Sequence, residues 1–242
     1  MGINVVNKAV QLDETHQKGV NTSLEHNPTF QTFNGITVHY VFTRNKVQNR
    51  DGDGNPLNAL KALKQYTIVP MYRNRVMDRT RNVIAKLKDD LVPDQIMPMP
   101  SSNGFVGEFA AIVAEVLEKP LMNPSFLRKK TLGEMIAEYG DGQLPKMSPS
   151  QLFAYKSELA LWRKGNADRD ISMKDVSPKI REFFLPLTLA GEFPAVAGQK
   201  VLIVDDLMSS GSTMASAANI LIEGGKCPVT GLCFLSGLPG ES

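Results

Sequence analysis

The chain has 242 residues, a mass of 26.6 kDa and a nearly balanced charge, with 27 basic and 25 acidic side chains. This length suits one large domain, or one ordinary domain with an elaboration, and the balanced charge argues against a histone-like protein or an acidic tail. No apolar run approaches the roughly 20 residues of a membrane span. The two cysteines, Cys227 and Cys233, are expected to be buried thiols rather than a disulfide or zinc site, so we expect a cytoplasmic protein without a membrane partner.

The N-terminal part of the chain is predicted to form an arm. Residues 1–34 are polar and weakly patterned, whereas residues 36–42 alternate side chains that favour β-structure, which predicts a strand. We interpret residues 1–56 as a β-containing arm and residues 57–242 as the main domain.

Charge is distributed unevenly along the chain. Residues 44–90 carry 11 basic and 5 acidic side chains, a net charge of +6, whereas residues 193–242 carry 2 and 4, a net charge of −2. Within the basic region, residues 72–91 place apolar or small side chains at helical spacing, which predicts an amphipathic helix. We expect its basic face to be solvated, and contact with nucleic acid is the less favoured alternative.

Two stretches predict strands that are each followed by a loop and a helix. The first strand covers residues 95–100, and its helix has an apolar stripe between residues 106 and 117. The second strand, residues 201–204, is followed by a loop, a helix and a further apolar run at residues 229–235. Apolar runs that alternate with helices indicate an α/β fold with an open, mainly parallel sheet flanked by helices.

Residues 131–182 are predicted to form a helical insertion in this sheet domain. The spacing of Thr131 and Glu134 is that of a capping box and predicts the start of a short helix. The spacing of Ser148 and Gln151, with a proline between them, predicts the start of a second helix.

The segment most informative about chemistry is residues 201–213, VLIVDDLMSSGST. Asp205 and Asp206 follow the strand, so they emerge at the carboxyl edge of the sheet, where open α/β sheets bind ligands. The next residues turn into the N-terminus of a helix, whose unpaired N–H groups and nearby hydroxyls make an anion site. This loop consists of Ser209, Ser210, Gly211, Ser212 and Thr213. An anion site beside two carboxylates fits a ribose 5-phosphate.

This segment resembles the 5-phosphoribosyl-1-pyrophosphate (PRPP) binding motif of the type I phosphoribosyltransferase superfamily. An apolar strand, two acidic residues and a hydroxyl-rich loop around a glycine follow each other in the family's order. Over residues 57–236 the order of elements is most similar to the ComF-like branch, although the chain has no N-terminal cysteines for that branch's zinc module.

The resemblance implies the phosphoribosyltransferase fold and a reaction. Such an enzyme binds PRPP with Mg²⁺ and transfers the 5-phosphoribosyl group to a nitrogen nucleophile, such as a nucleobase, with release of pyrophosphate. Asp205 and Asp206 would be the catalytic residues that hold the ribose hydroxyls, and residues 209–213 would bind the 5-phosphate. Magnesium would be carried by PRPP, without direct metal ligands from the protein.

The resemblance also implies a loop for pyrophosphate after the first strand and a mobile loop that closes over the site. By position, the pyrophosphate loop consists of Ser101, Ser102, Asn103 and Gly104, which include no cation. The basic residues that precede the expected mobile loop are Arg128, Lys129 and Lys130. Contact with the pyrophosphate and a solvated strand end are equally open for these three. The basic helix or a second subunit of a homodimer is another source of cations.

The part that recognises the acceptor, called the hood in this superfamily, matches no motif. We place it in the N-terminal region, residues 1–70, in preference to the helical insertion. The alternative function is a non-catalytic sensor of PRPP or nucleotides, acting as a regulator or within a DNA-processing or defence complex.

Overall fold

The computed structural model of the chain describes residues 2–45, 56–101, 104–142, 144–208 and 210–237. The strands are β1 (Gly2–Val6), β2 (Ala9–Asp13), β3 (Val20–Asn21), β4 (Thr29–Phe33), β5 (Ile36–Arg44), β6 (Thr67–Ile68), β7 (Gln95–Pro98), β8 (Leu127–Lys129), β9 (Leu187–Leu189), β10 (Val201–Leu207) and β11 (Val229–Leu235). The α-helices are α1 (Pro56–Leu60), α2 (Pro70–Ala85), α3 (Phe105–Leu117), α4 (Leu132–Tyr139), α5 (Pro149–Trp162) and α6 (Ser212–Gly225), and 3₁₀ helices span Pro124–Phe126 and Pro178–Phe183. Within these residues, none of the helices has the length and apolar content needed to cross a membrane.

The central sheet is parallel along most of its width. Strands β5, β11, β10 and β7 lie side by side in this order and run parallel, and β3 and β4 pair with the outer edge of β5 in the antiparallel sense. Helices α2 and α3 cover one face and α6 covers the other, so the inner strands are buried on both faces and need continuous apolar runs. The predicted α/β fold with an open, mainly parallel sheet is therefore confirmed.

The register of this sheet places three ionisable side chains in one row. Tyr40 of β5 lies opposite Cys233 of β11, and Cys233 lies opposite Asp205 of β10. Side chains at paired positions of parallel strands point to the same face. Asp205 thus extends from the end of β10 beside a buried thiol; Cys227 is also a buried free thiol, as predicted for both cysteines.

The N-terminal residues contain more regular structure than their weak pattern predicts. Strands β1 and β2 form an antiparallel pair that β6 extends, while β3 and β4 join the central sheet. The β1–β2 pair buries Ile3, Val10 and Leu12, too few apolar side chains to give a clear alternation. The division into residues 1–56 and 57–242 stays a prediction, but β5 comes from the predicted arm and pairs with β11 in the main sheet.

Basic side chains of α2 are engaged within the protein. Arg73 pairs with Glu108 of α3 at 2.5 Å, and Arg81 pairs with Glu115 of α3 at 3.6 Å. Ion pairs this exposed contribute at most about 1 kcal/mol each to stability. Arg73 and Arg81 are still 36% and 40% exposed, so the face stays largely solvated as expected, and these two side chains also join α2 to α3.

The predicted helical insertion lies between β8 and β9, which pair in the antiparallel sense. Both predicted capping boxes form, since Thr131 and Glu134 cap α4 while Ser148 and Gln151 cap α5. Each box satisfies two backbone donors at a helix end, so these short helices begin at defined residues. The whole segment that joins the two strands, residues 130–186, is called the insertion.

The insertion has a hydrophobic core of its own, separate from the two clusters that flank the central sheet. Phe184 lies at its centre, with ring centroids 5.1 Å from Tyr139, 4.9 Å from Tyr155 and 4.8 Å from Trp162. Burying several aromatic rings in contact gives a small element enough apolar area to hold a fixed shape.

Phe184→Ala is expected to destabilise the insertion by about 3–5 kcal/mol, because it removes the ring that the other aromatic side chains contact. Phe153→Ala is a matched control in the same insertion, since Phe153 is 76% exposed, and it is expected to change stability by less than about 0.5 kcal/mol. Urea unfolding of both variants measures the difference. Equal losses would show that the aromatic cluster does not hold the insertion together.

Candidate functional site

A cavity of about 330 Å³ lies at the carboxyl ends of β7 and β10. The sheet contributes residues 99–101 after β7 and residues 205–208 at the end of β10, and the start of α6 contributes residues 210–214. The insertion lines another part of the cavity, chiefly through residues 171–174. Among the described residues before residue 70, Lys61 lines it.

Two adjacent carboxylates occupy the end of β10. Asp206 forms an ion pair with Lys61, and the side chains of the two residues are only 14% and 15% exposed. The backbone N–H of Asp206 donates a hydrogen bond of 2.8 Å to a carboxylate oxygen of Asp205. The ammonium group of Lys61 and the backbone N–H of Asp206 thus hold the two carboxylates at the end of the strand.

Burial opposes ionisation of this pair. Desolvation, and then the charge of Asp206, raise the pKa of Asp205 to about 7, while the N–H of Asp206 and the charge of Lys61 act in the opposite direction. Burial and the two carboxylates also raise the pKa of the neighbouring Cys233 thiol. Titratable groups that burial shifts inside a cleft are typical of functional sites, because folding alone gains nothing from such a pair.

The loop before α6 has a shape that depends on Gly211. This residue caps α6 in the left-handed region at φ +69°, where a side chain is strained. An added Cβ would also lie 2.4 Å from a ring carbon of Phe33 and 2.6 Å from the end of Met208. The backbone therefore passes close to β4 as it turns into the helix. The N–H groups of the first turn of α6 have no partner within the helix, and this turn lines the cavity.

The predicted phosphate-binding hydroxyls are not equivalent. Ser210 and Thr213 line the cavity, whereas Ser209 lies outside the described residues. Ser212 is buried, and its hydroxyl donates to the backbone carbonyl of Arg181 in the insertion. The Ser212 hydroxyl therefore joins the loop to the insertion. Ser212 is also the first residue of α6, where the backbone N–H has no partner within the helix.

The first and last residues of the predicted pyrophosphate loop are among the described residues. Ser101 lines the cavity, and Gly104 immediately precedes α3. Ser102 and Asn103 lie outside the described residues. Their assignment stays a prediction.

The three predicted basic residues at the end of β8 and the start of the insertion have different surroundings. Lys129 lines the cavity. Arg128 instead forms hydrogen bonds of 2.6 and 2.7 Å to the carboxylate of Glu134, and Lys130 pairs with Glu138 of α4. Alternation along β8 explains why Arg128 and Lys129 differ, because neighbouring side chains of a strand point to opposite faces.

Sequence reasoning missed three other basic residues that line the cavity: Lys61, Lys174 and Arg181. Lys61 lies in the basic region, where the sequence predicts the missing cations, so its charge context gave a weak signal. Lys174 and Arg181 belong to the insertion, and no local motif distinguishes them from the solvated lysines and arginines around them.

Comparison with known proteins gives matches over different parts of the chain. Residues 135–236 match the family described as phosphoribosyl transferase domain. The adenine phosphoribosyltransferase of Treponema denticola is 52% identical over 44 residues, which are 18% of this chain and only 23% of that protein's length. The bifunctional protein PyrR of Pseudomonas entomophila is 25% identical over 147 residues, 60% of this chain and 76% of that protein. The solved adenine phosphoribosyltransferase of Leishmania donovani aligns at 15% identity over 97% of this chain and 86% of its own, with a TM-score of 0.39.

Gly211→Ala is expected to destabilise the protein more than Gly198→Ala. Both glycines have positive φ, but an added Cβ meets nothing within 4 Å at Gly198. Gly198→Ala, the control, is expected to lower the free energy of unfolding by about 1 kcal/mol through backbone strain. Gly211→Ala is expected to lower it by about 1–3 kcal/mol more, because its Cβ would contact Phe33. Urea unfolding compares the two, and equal losses would contradict the close approach of β4.

Asp205→Asn is expected to stabilise the ligand-free protein at pH 8 and to have little effect near pH 4. The pKa of Asp205 is about 7 in the folded chain, above its value in an unfolded chain, so the folded state binds more protons between these values. Wild-type stability therefore falls as the pH rises through this window, which spans about three pH units, and the variant is expected to gain up to about 4 kcal/mol across it. Urea unfolding at pH 4, 6 and 8 measures the gain. A difference independent of pH would contradict the raised pKa.

Proposed function

Since residues 135–236 match the phosphoribosyl transferase domain family, we propose that the chain binds PRPP with Mg²⁺ and transfers the 5-phosphoribosyl group to a nitrogen nucleophile, releasing pyrophosphate. The observation that carries this proposal is that the adjacent carboxylates of β10 and the loop at the start of α6 line the same cavity. A ribose 5-phosphate needs these two subsites at once, one for vicinal hydroxyls and one for a phosphate.

The 5-phosphate binds at the N-terminus of α6. Gly211 allows the backbone to turn there, and the unpaired N–H groups of the first turn form the positive end of the helix dipole. Ser210 and Thr213 add hydroxyl donors from the cavity lining. Anchoring the phosphate in this way fixes the ribose ring over the end of β10.

Asp205 and Asp206 accept hydrogen bonds from the ribose hydroxyls. As the bond from C1 to pyrophosphate breaks, its electrons leave with the pyrophosphate and positive charge develops on the ribose ring, while the acceptor nitrogen attacks the opposite face. Carboxylates held beside this charge stabilise it more in the transition state than in the ground state. Burial raises the pKa of Asp205 in the ligand-free protein, and the developing positive charge favours its ionised form.

The cavity also offers a cation for the pyrophosphate. Lys129 lines the cavity, and in the described part of the chain it has no ion pair or hydrogen bond through its side chain. Its ammonium group adds a charge that the pyrophosphate loop lacks, and Ser101 lies in the same lining.

Magnesium belongs to the substrate complex in this proposal. Across the described ranges, no group of three or more His, Cys, Asp or Glu side chains is arranged to hold a metal ion. Asp205 and Asp206 are the carboxylates that line the cavity, and since the ribose hydroxyls occupy them, the oxygens of PRPP carry the ion without direct ligands from the protein. The ion would neutralise charge on the leaving pyrophosphate.

A second function, a sensor of PRPP or nucleotides, is favoured by one contact. The Ser212 hydroxyl in the phosphate loop donates to the backbone carbonyl of Arg181 in the insertion, so a ligand in the loop would lie one hydrogen bond away from an accessory element. Binding without release of pyrophosphate in the presence of any acceptor would favour this function. The ComF-like relationship stays a prediction under either function.

The joint substitution Asp205→Asn and Asp206→Asn is expected to abolish binding of PRPP with Mg²⁺, because it removes both carboxylates that accept the ribose hydroxyls. The matched control is Asp89→Asn with Asp90→Asn, an exposed adjacent pair that does not line the cavity. Calorimetric titration of both variants and the wild type measures binding, and pyrophosphate release with a panel of nitrogen heterocycles measures turnover. Unchanged binding by the first variant would overturn the proposed site.

A further inference from the structure

We infer that residues 171–174 of the insertion, here called the recognition segment, bind the acceptor and select a nitrogen heterocycle whose edge carries oxo or carboxylate oxygens. The inference rests on the proposed function, since it concerns the second substrate of the same cavity. It also moves acceptor recognition from the N-terminal region, residues 1–70, to the insertion.

The placement of the recognition segment supports this role. It lines the cavity that also contains Asp205, Asp206 and the start of α6. In the described part of residues 1–70, Lys61 reaches the cavity, and its ammonium group is paired with Asp206. The insertion therefore supplies the protein surface that faces the ribose site, which is where an acceptor nitrogen must lie to attack C1.

The recognition segment is held in place by the insertion. Ile171 is buried in the insertion's core, and its backbone N–H donates to the carbonyl of Lys130 at 2.9 Å. On the other side of the segment, the Arg181 guanidinium donates to the carbonyls of Lys174 at 3.1 Å and of Val176 at 2.9 Å. Bonds at both ends restrict the segment to one conformation, as a binding surface requires.

Arg181 also fixes the distance between this segment and the phosphate site. Its side chain holds the segment, and its backbone carbonyl accepts the hydroxyl of Ser212 at the start of α6. One turn further along α6, the Ser216 hydroxyl is bonded to both the N–H and the carbonyl of Leu187, at 2.9 and 3.2 Å. A ribose anchored by its phosphate on α6 thus meets the recognition segment at a set separation.

The two polar side chains of the segment can both donate hydrogen bonds, and the Lys174 ammonium group can only donate. In the part of the chain that the structure describes, neither the Ser172 hydroxyl nor the Lys174 ammonium has a hydrogen-bond partner. The carbonyl of Ser172 already accepts the N–H of Asp175, and that of Lys174 accepts Arg181. A heterocycle edge with acceptor oxygens satisfies these donors, whereas an amino group would face a cation.

The segment also offers an apolar contact for a ring. Met173 is half-buried and lines the cavity together with the buried Pro186. A thioether packs favourably against a planar ring and adapts to its outline. The apolar contact and the two donors together fit a flat heterocycle whose face packs on Met173 and whose edge accepts hydrogen bonds from Ser172 and Lys174.

The test compares the affinity of ribose 5-phosphate with that of nucleoside 5′-monophosphates, measured by calorimetry on the full chain. The ratio of the two dissociation constants isolates the contribution of the base without requiring turnover. Orotidine, uridine and xanthosine monophosphates carry acceptor oxygens at the base edge, and adenosine monophosphate carries an amino group. The oxygen-bearing nucleotides are expected to bind more tightly than ribose 5-phosphate, and this increase in affinity is the gain from the base. Adenosine monophosphate is expected to show a smaller gain over ribose 5-phosphate.

Lys174→Gln and Met173→Ala are each expected to reduce that gain about tenfold while leaving the affinity for ribose 5-phosphate unchanged. Lys179→Gln is the matched control, because Lys179 is an exposed lysine of the same insertion that does not line the cavity. A gain that survives both substitutions, a preference for adenosine monophosphate, or equal affinity for every ligand would overturn the inference. Failure of the wild type to bind ribose 5-phosphate would instead overturn the proposed function, and the inference with it.

Discussion

The cost of placing two adjacent carboxylates in a largely buried position is the constraint to which the rest of the structure responds. Asp206 is paired with Lys61, Asp205 accepts a backbone N–H, and the pKa of Asp205 is still raised. A parallel sheet suits this arrangement, because strands buried on both faces are rigid and end at one edge. The destabilising charge is therefore held by a strand of the central sheet, next to the start of α6.

Local patterns allowed the elements around the site to be predicted from the sequence. Residues 201–213 combine an apolar strand, two acids and a glycine loop, and each part constrains its own backbone: burial drives the strand, and Gly211 adopts a positive φ. The two capping boxes were also predictable, because a cap is a contact between residues three positions apart. By contrast, β1 and β2 bury so few side chains that their pattern was weak.

Long-range pairing could not be predicted from these patterns. Lys61 meets Asp206 across 145 positions, and Arg181 meets Ser212 across 31. Neither contact leaves a local signal, since a lysine or an arginine in a polar stretch is usually solvated. The same limit applies to the basic face of α2, where the sequence identifies charges but not their acidic partners on α3. The position of residues 171–174 in the cavity lining also escaped prediction, because it depends on how the insertion folds back.

The paired strands at the base of the insertion have an evolutionary consequence. The chain leaves and rejoins the sheet domain through β8 and β9, which lie side by side, and the segment between them has its own core. An element attached in this way can be lengthened, shortened or replaced without a change in the register of β10 or in the turn at Gly211. A change confined to this one module can thus alter the surface that faces Asp205 and Asp206 while the sheet that carries them stays the same.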